Sequence, residues 1–190
     1  KFKQIKKVQK QERKLFYYET NVGAALPLIE TLKNLVQTGD KIHSIRGIFS
    51  GTLSYLFNRY SVEDQNFPSI LLDAVNQKFT EPDPREDLSG LDVARKLLIL
   101  SREIGFETDL IDIDLESLLP KGLSQLTLPT FFERFDVLDY HFSKIKSKLE
   151  DGFVLRYIGE ISGEGNLSVS LQAVPAHSNF ARLTGSDALF

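Results

Sequence analysis

Cysteine is absent, and with it disulfides and thiolate metal sites. That usage fits a cytosolic protein. Histidine is scarce: His43, His141 and His177 stand far apart and show no metal-ligand spacing. No apolar run is long enough to cross a bilayer and no secretory signal is visible, so no membrane association is expected. A net charge of −3 offers nucleic acid no global field, and no nucleic-acid partner is expected. The glycine-rich turn between strand and helix that cradles a dinucleotide appears nowhere. Methionine is missing too, although 14 phenylalanines show that large apolar side chains are not avoided. The last residues, Leu183 to Phe190, carry no closing turn or polar tail. The expectation is a piece of a longer protein, cut within an element.

What is present has an ordinary globular profile, with 42% hydrophobic and 26% charged residues over a length that supports one good core. Residues 1–14 are strongly basic, with Phe2, Ile5 and Val8 recurring every three residues. They read as an amphipathic helix with a solvated basic face, left over from an upstream domain. Leu15-Phe16-Tyr17-Tyr18-Glu19 is dense in aromatics and reads as a buried strand. Thr20 to Pro27 is a small-residue turn, and Pro27 to Val36 has helical spacing, ended by Gly39-Asp40. Residues 42–49 alternate as a strand, and Ser50-Gly51-Thr52 opens another helix. Residues 61–68 read as a loop closed by Pro68, 69–77 as a helix and 121–150 as mostly helical. Residues 153–161 and 167–174 form a hairpin about Ser162-Gly163-Glu164-Gly165-Asn166. Strands separated by helices of unequal length do not make a regular βαβ alternation. The expected class is α+β, a mixed sheet covered by helices on one face.

One stretch organises the rest. Phe79-Thr80-Glu81-Pro82-Asp83-Pro84-Arg85-Glu86-Asp87-Leu88-Ser89-Gly90 is a proline-stiffened, carboxylate-dense loop that feeds the apolar helix Leu91 to Leu100. Asp92 and Lys96 sit four apart and share one face of that helix. A charged pair on a mostly buried helix must be matched, hydrated in a cleft or occupied by a ligand. Read alone, the pair is a structural ion bridge beside a surface loop. Five acids (Glu81, Asp83, Glu86, Asp87 and Asp92) converging on one cleft weigh toward a site.

Thr80-Glu81-Pro82-Asp83-Pro84, Asp87-Leu88-Ser89-Gly90-Leu91-Asp92 and Lys96 together resemble the signature of homoserine dehydrogenases. Glu19-x-x-Val22-Gly23-Ala24-x-Leu26-Pro27 is similar to a second motif of the same family. The resemblance implies that Lys96 is the catalytic acid/base. It implies that Glu81 and Asp92 hold the amino-acid substrate, with Asp87, Glu86 and Thr52 in the same wall. Gly51 and Thr52 would face the nicotinamide side, the cofactor being NAD or NADP. A monovalent cation such as Na+ would sit on backbone oxygens of Glu19, Val22, Ala24 and Leu26. The family usually has Gly where Lys78 stands, and often Asp where Glu86 stands.

The implied reaction interconverts L-homoserine and L-aspartate 4-semialdehyde in threonine and methionine biosynthesis. Residues 15–190 would be the catalytic and dimerisation domain, truncated at its C-terminus, with the dinucleotide-binding domain upstream and missing. The hairpin resembles that of the branch fused to aspartokinase. A cytoplasmic homodimer or higher homo-oligomer is expected. Two other readings stay open: a non-catalytic assembly module, and a different nicotinamide-dependent semialdehyde or imine reductase.

Overall fold

Helix starts in this chain are written in caps, and a computed structural model that describes residues 2–186 follows them. The chain opens with α1 (Phe2–Glu12), α2 (Thr20–Gly23) and α3 (Leu28–Gln37), then strand β1 (Ser44–Gly47). Helix α4 (Gly51–Val62) is capped by the Ser50 hydroxyl, which accepts the Leu53 N–H at 3.2 Å. Helix α5 (Phe67–Asn76) is capped by Asn66, with Pro68 in its first turn. Pro68 therefore starts a helix rather than closing a loop, because the first turn has no use for its missing N–H. Helix α6 (Pro84–Leu88) is capped by Asp83 in the same way, so the second proline of the acidic loop is helical where an extended chain was expected. Helix α7 (Leu91–Glu103), strand β2 (Asp114–Leu115), helices α8 (Leu128–Glu133) and α9 (Phe135–Lys146), and strands β3 (Phe153–Ser162) and β4 (Leu167–Pro175) complete the order.

The sheet runs β1-β3-β4-β2. β1 and β4 flank β3 in antiparallel pairs, and β2 joins β4 in parallel. The mixed α+β sheet matches the expectation. Alternation along β3 splits its side chains between two clusters. Leu155, Tyr157 and Ile161 enter the main core with α4 and α7. Val154 and Ile158 join Ile48 and Val174 in a smaller cluster under Phe180, Ala181 and Leu183. Phe57, Tyr60, Phe67 and Phe142 bind α4, α5 and α9 together, with the Phe67 and Phe142 rings stacked at 3.6 Å. Each such side chain, fully buried, contributes about 1.5–3 kcal/mol.

The aromatic stretch 15–18 is not a strand. Leu15 and Tyr17 are 78% and 83% exposed. No strand among the described residues pairs with it, and aromatic content alone cannot make a strand without a partner. Phe16 stacks on Tyr18 with ring centroids 5.6 Å apart, and the Tyr18 hydroxyl donates to Glu103, which also pairs with Lys6 at 3.2 Å and Lys33 at 3.4 Å. Burial and the Glu103 carboxylate push the Tyr18 phenol up to about 12. This charge cluster, centred on the last turn of α7, ties α1 and α3 to the helix that carries Lys96. Lys1 and residues 187–190 lie outside the described residues, and so does that part of the expected cut end.

Candidate active site

The head of α7 is fixed by backbone geometry before any ligand is considered. Gly90 caps it at φ +73°, a conformation that L side chains rarely adopt. Its α-carbon lies against the phenol of Tyr157, a buried residue whose hydroxyl donates to the Glu116 carbonyl at 2.6 Å. The Ser89 hydroxyl accepts the Leu91 N–H at 3.2 Å. From this start, Asp92 and Lys96 project along one face. The Lys96 ammonium contacts Asp92 Oδ2 at 2.8 Å and donates to the Phe49 carbonyl at 2.8 Å. Lys96 is 21% exposed and Asp92 62%, so the ammonium sits at the rim of the fold rather than in bulk water. Its third N–H has no acceptor among the described residues.

The Thr52 hydroxyl donates to the Phe79 carbonyl at 2.6 Å. The Asp87 carboxylate accepts the Glu81 N–H at 2.9 Å, so the acidic loop closes on itself. Burial raises Asp87 above the ordinary carboxylate range, and the Glu81 charge adds to the effect; the N–H bond and Thr52 oppose it. The Glu81 and Glu86 side chains are exposed and have no partner among the described residues. Asp83 is the acid that does not join them. It is gripped by Arg85 at 2.5–3.1 Å, held well below the usual carboxylate range by that guanidinium, and anchored through Arg85 to the Leu126 carbonyl. Its role is to fix the loop.

The loop enters from α5 through Lys78, at φ +60°. The turn expected of a glycine is therefore kept with a lysine in it. A left-handed conformation costs a side chain about 1–2 kcal/mol, while glycine loses more freedom on folding. Lys78→Gly is expected to leave a net gain of about 0.5–1 kcal/mol. Thermal unfolding should read it as a Tm rise of about 1–4 °C; a fall would mean that Lys78 makes compensating contacts.

Gly51 is closely approached by the chain's later part: a Cβ there would lie 2.9 Å from the Ser186 carbonyl oxygen. The Asn58 side chain donates to the Gly185 carbonyl at 3.0 Å, so the 185–186 segment runs along α4. In the second motif, the Glu19 carboxylate caps α3 by accepting the Ile29 N–H at 2.6 Å and the Glu30 N–H at 3.0 Å. The Glu19 and Leu26 carbonyls each accept one backbone N–H, from Val22 and Leu28. A carbonyl has two lone pairs, so each keeps capacity for a hard cation. Ala24 turns the chain at φ +50° between them. A concavity of about 870 Å³ lies elsewhere, between α1 and the loop after α7, lined by residues including Lys3, Arg102 and Asp109.

The family model for homoserine dehydrogenase matches residues 27–190. The chain belongs to the homoserine dehydrogenase family. It is 44% identical over 186 residues to bifunctional aspartokinase/homoserine dehydrogenase 2, chloroplastic, of Arabidopsis thaliana, a match covering 96% of this chain and 20% of that protein. It is 42% identical to the homoserine dehydrogenase of Paracoccidioides brasiliensis, over 91% of this chain and 50% of that one. The chain thus spans a fifth to a half of the relatives it matches. A crystal structure of a Candida auris protein of unknown function superposes with a TM-score of 0.86 at 40% identity, over 92% of this chain and 51% of that one. A Thiobacillus denitrificans homoserine dehydrogenase gives a TM-score of 0.73 at 22% identity, over 97% and 39%, a likeness of fold. The matched range includes Gly51, Thr52, Glu81, Glu86, Asp87, Asp92 and Lys96; Glu19, Val22, Ala24 and Leu26 precede it.

Sequence reasoning missed the Phe49 carbonyl, because a backbone acceptor leaves no mark on residue type. It also missed Tyr157, for which the requirement for glycine at position 90 was the available signal.

Proposed function

We propose that this chain is the substrate-binding and proton-handling part of an oxidoreductase that interconverts L-homoserine and L-aspartate 4-semialdehyde, on the route to threonine and methionine. The observation that carries this reading is the Lys96 ammonium, held by Asp92 and the Phe49 carbonyl with one N–H directed to neither. A substrate oxygen taking that N–H would be placed to exchange a proton with Lys96. Glu81 and Glu86 have carboxylates available for a substrate ammonium, and Asp87 fixes the backbone between them.

A nicotinamide, of NAD or NADP, supplies the hydride chemistry when bound. The residues present do not fit its phosphates. No glycine-rich turn exists, and the Leu53 N–H at the start of α4 is already taken by Ser50. The dinucleotide would be held chiefly by protein outside residues 2–186, with Gly51 and Thr52 at its edge. The carbonyls of Glu19, Val22, Ala24 and Leu26 would hold Na+; an all-oxygen, neutral donor set suits a hard monovalent ion. A cytoplasmic homo-oligomer remains the expected setting. No helix among the described residues is long and apolar enough to cross a membrane.

The test is an assay of the full-length protein for L-homoserine-dependent reduction of NADP+ and NAD+. Turnover with neither nucleotide would leave the assembly-module reading in its place.

Asp87 gives a sharper prediction. Its folded value is raised, so its contribution to stability is full below the ordinary carboxylate range. That contribution is lost as pH rises through the folded value. At neutral pH the buried charge is a cost. Asp87→Asn keeps an acceptor for the Glu81 N–H and is expected to raise Tm by a few degrees at neutral pH, with the gain vanishing in acid. If Asp87 belongs to the substrate wall, kcat/KM should fall at least about tenfold, the loss of one charge-assisted contact. A stable variant with full activity would remove Asp87 from the site.

A further inference from the structure

Tyr55, on α4, belongs to none of the motifs, yet its phenol stands at a junction. It is 9% exposed. Its oxygen receives Arg59 Nη1 at 2.8 Å and Gln77 Nε2 at 2.9 Å. Its ring packs on Phe79 with centroids 4.8 Å apart. Arg59 is itself fixed by Glu63, in two bonds of 2.8 Å, and by Asp73 at 2.8 Å. The phenol thus meets a donor that cannot drift, and passes that position to the residue that ends α5 and to the ring that opens the acidic loop. Phe79 is held at two further points, its carbonyl by Thr52 and its N–H by the Ala74 carbonyl. The chain from Phe79 to Glu81 is only two residues long, with Lys78 in a left-handed turn just before it. Where Tyr55 sits therefore sets where Glu81 sits.

We propose that Tyr55 is a positioning residue for the Phe79–Glu81 wall, acting through the Phe79 ring and Gln77 without touching the substrate. The inference rests on the functional reading above. Tyr55 governs how well the ground-state amino acid is held, and Lys96, anchored on α7 and Phe49, is left in place. Its loss should accordingly appear in KM rather than in kcat.

The experiment uses the full-length protein and compares Tyr55→Phe, Gln77→Leu and Asn66→Ala. Tyr55→Phe keeps the ring and removes the oxygen. Gln77→Leu, at an exposed position, removes the same bond from the other side and does not threaten folding. Asn66→Ala deletes the cap at the far end of α5, where the side chain accepts the Ser69 N–H at 2.9 Å, and so loosens the same helix without touching the junction. Tyr55→Phe and Gln77→Leu are each expected to raise KM for L-homoserine about three- to tenfold, the range of one hydrogen bond, with kcat within about twofold. Asn66→Ala should lower Tm and leave KM unchanged. An unchanged KM in Tyr55→Phe and Gln77→Leu, or an equal KM rise in Asn66→Ala, would overturn the proposal while the active wild type kept the functional reading. An inactive wild type would defeat that reading instead, and the proposal with it.

Discussion

Turnover of L-homoserine by the full-length protein should fall about a hundred- to ten-thousandfold when Lys96 becomes alanine, the range of a lost general acid/base. KM should change far less. Lys96 is held from two sides, by a backbone carbonyl that cannot titrate and by a carboxylate one helical turn away. That arrangement orients an ammonium; it contributes little to binding the rest of a small zwitterion. Folding should survive the change. Alanine is the best helix former, Asp92 is exposed enough to rehydrate, and the apolar residues Val93, Ala94 and Leu97 that bury α7 are untouched. Lys96→Arg separates charge from proton transfer. A guanidinium can restore the pairing with Asp92, but it does not give up its proton in the working range. Arginine should therefore be nearly as inactive as alanine while matching the wild type in Tm. If kcat in either variant stays within about tenfold of wild type, the proton belongs to another group, and the Lys96–Asp92 pair is the ion bridge that its spacing alone would suggest.

The parts of this site that were legible beforehand are those written in side-chain type at short range. The i, i+4 spacing of Asp92 and Lys96 puts both on one helix face, and the structure holds them 2.8 Å apart. Alternation along 153–161 and 167–174 predicted a hairpin, which forms with Ile161 opposite Leu167. The failures share a cause. Leu15, Phe16 and Tyr17 look like a strand, but a strand is made by its neighbour, and a single sequence does not say whether one lies alongside. Pro84 reads as a helix breaker only where no cap precedes it; with Asp83 accepting the Arg85 N–H, the same proline begins a turn of helix. Asp83 reads as one acid among five, and only the Arg85 bridge to Leu126 shows that its carboxylate is already committed to holding the loop. Local chemistry is readable from residue type and spacing, while long-range partners such as Phe49, Tyr157 and Glu103 are set by the tertiary fold.

Gly90→Ala should be the most damaging single methyl group in the chain. A Cβ at position 90 would meet the Tyr157 hydroxyl well inside contact distance, with Tyr157 Cζ and Leu115 Cδ1 each 3.0 Å away. The tyrosine cannot step aside cheaply: it is buried, and its hydroxyl is tied to Glu116. The backbone cannot relax either, because φ +73° is what turns α6 into α7. A left-handed alanine costs about 1–2 kcal/mol and overpacking about 1–3 kcal/mol. Together they cost about 2–5 kcal/mol, a large share of the roughly 5–15 kcal/mol that holds a domain folded. The expected result is a chain that loses most of its cooperative unfolding transition, and activity with it, although position 90 touches no substrate. The double variant Gly90→Ala/Tyr157→Phe decides the cause. Removing the oxygen relieves the worst contact and leaves the backbone strain, so it should recover part of the Tm and part of the turnover. Recovery of neither would mean that the left-handed turn, rather than the Tyr157 contact, sets the direction in which α7 carries Asp92 and Lys96 into the site.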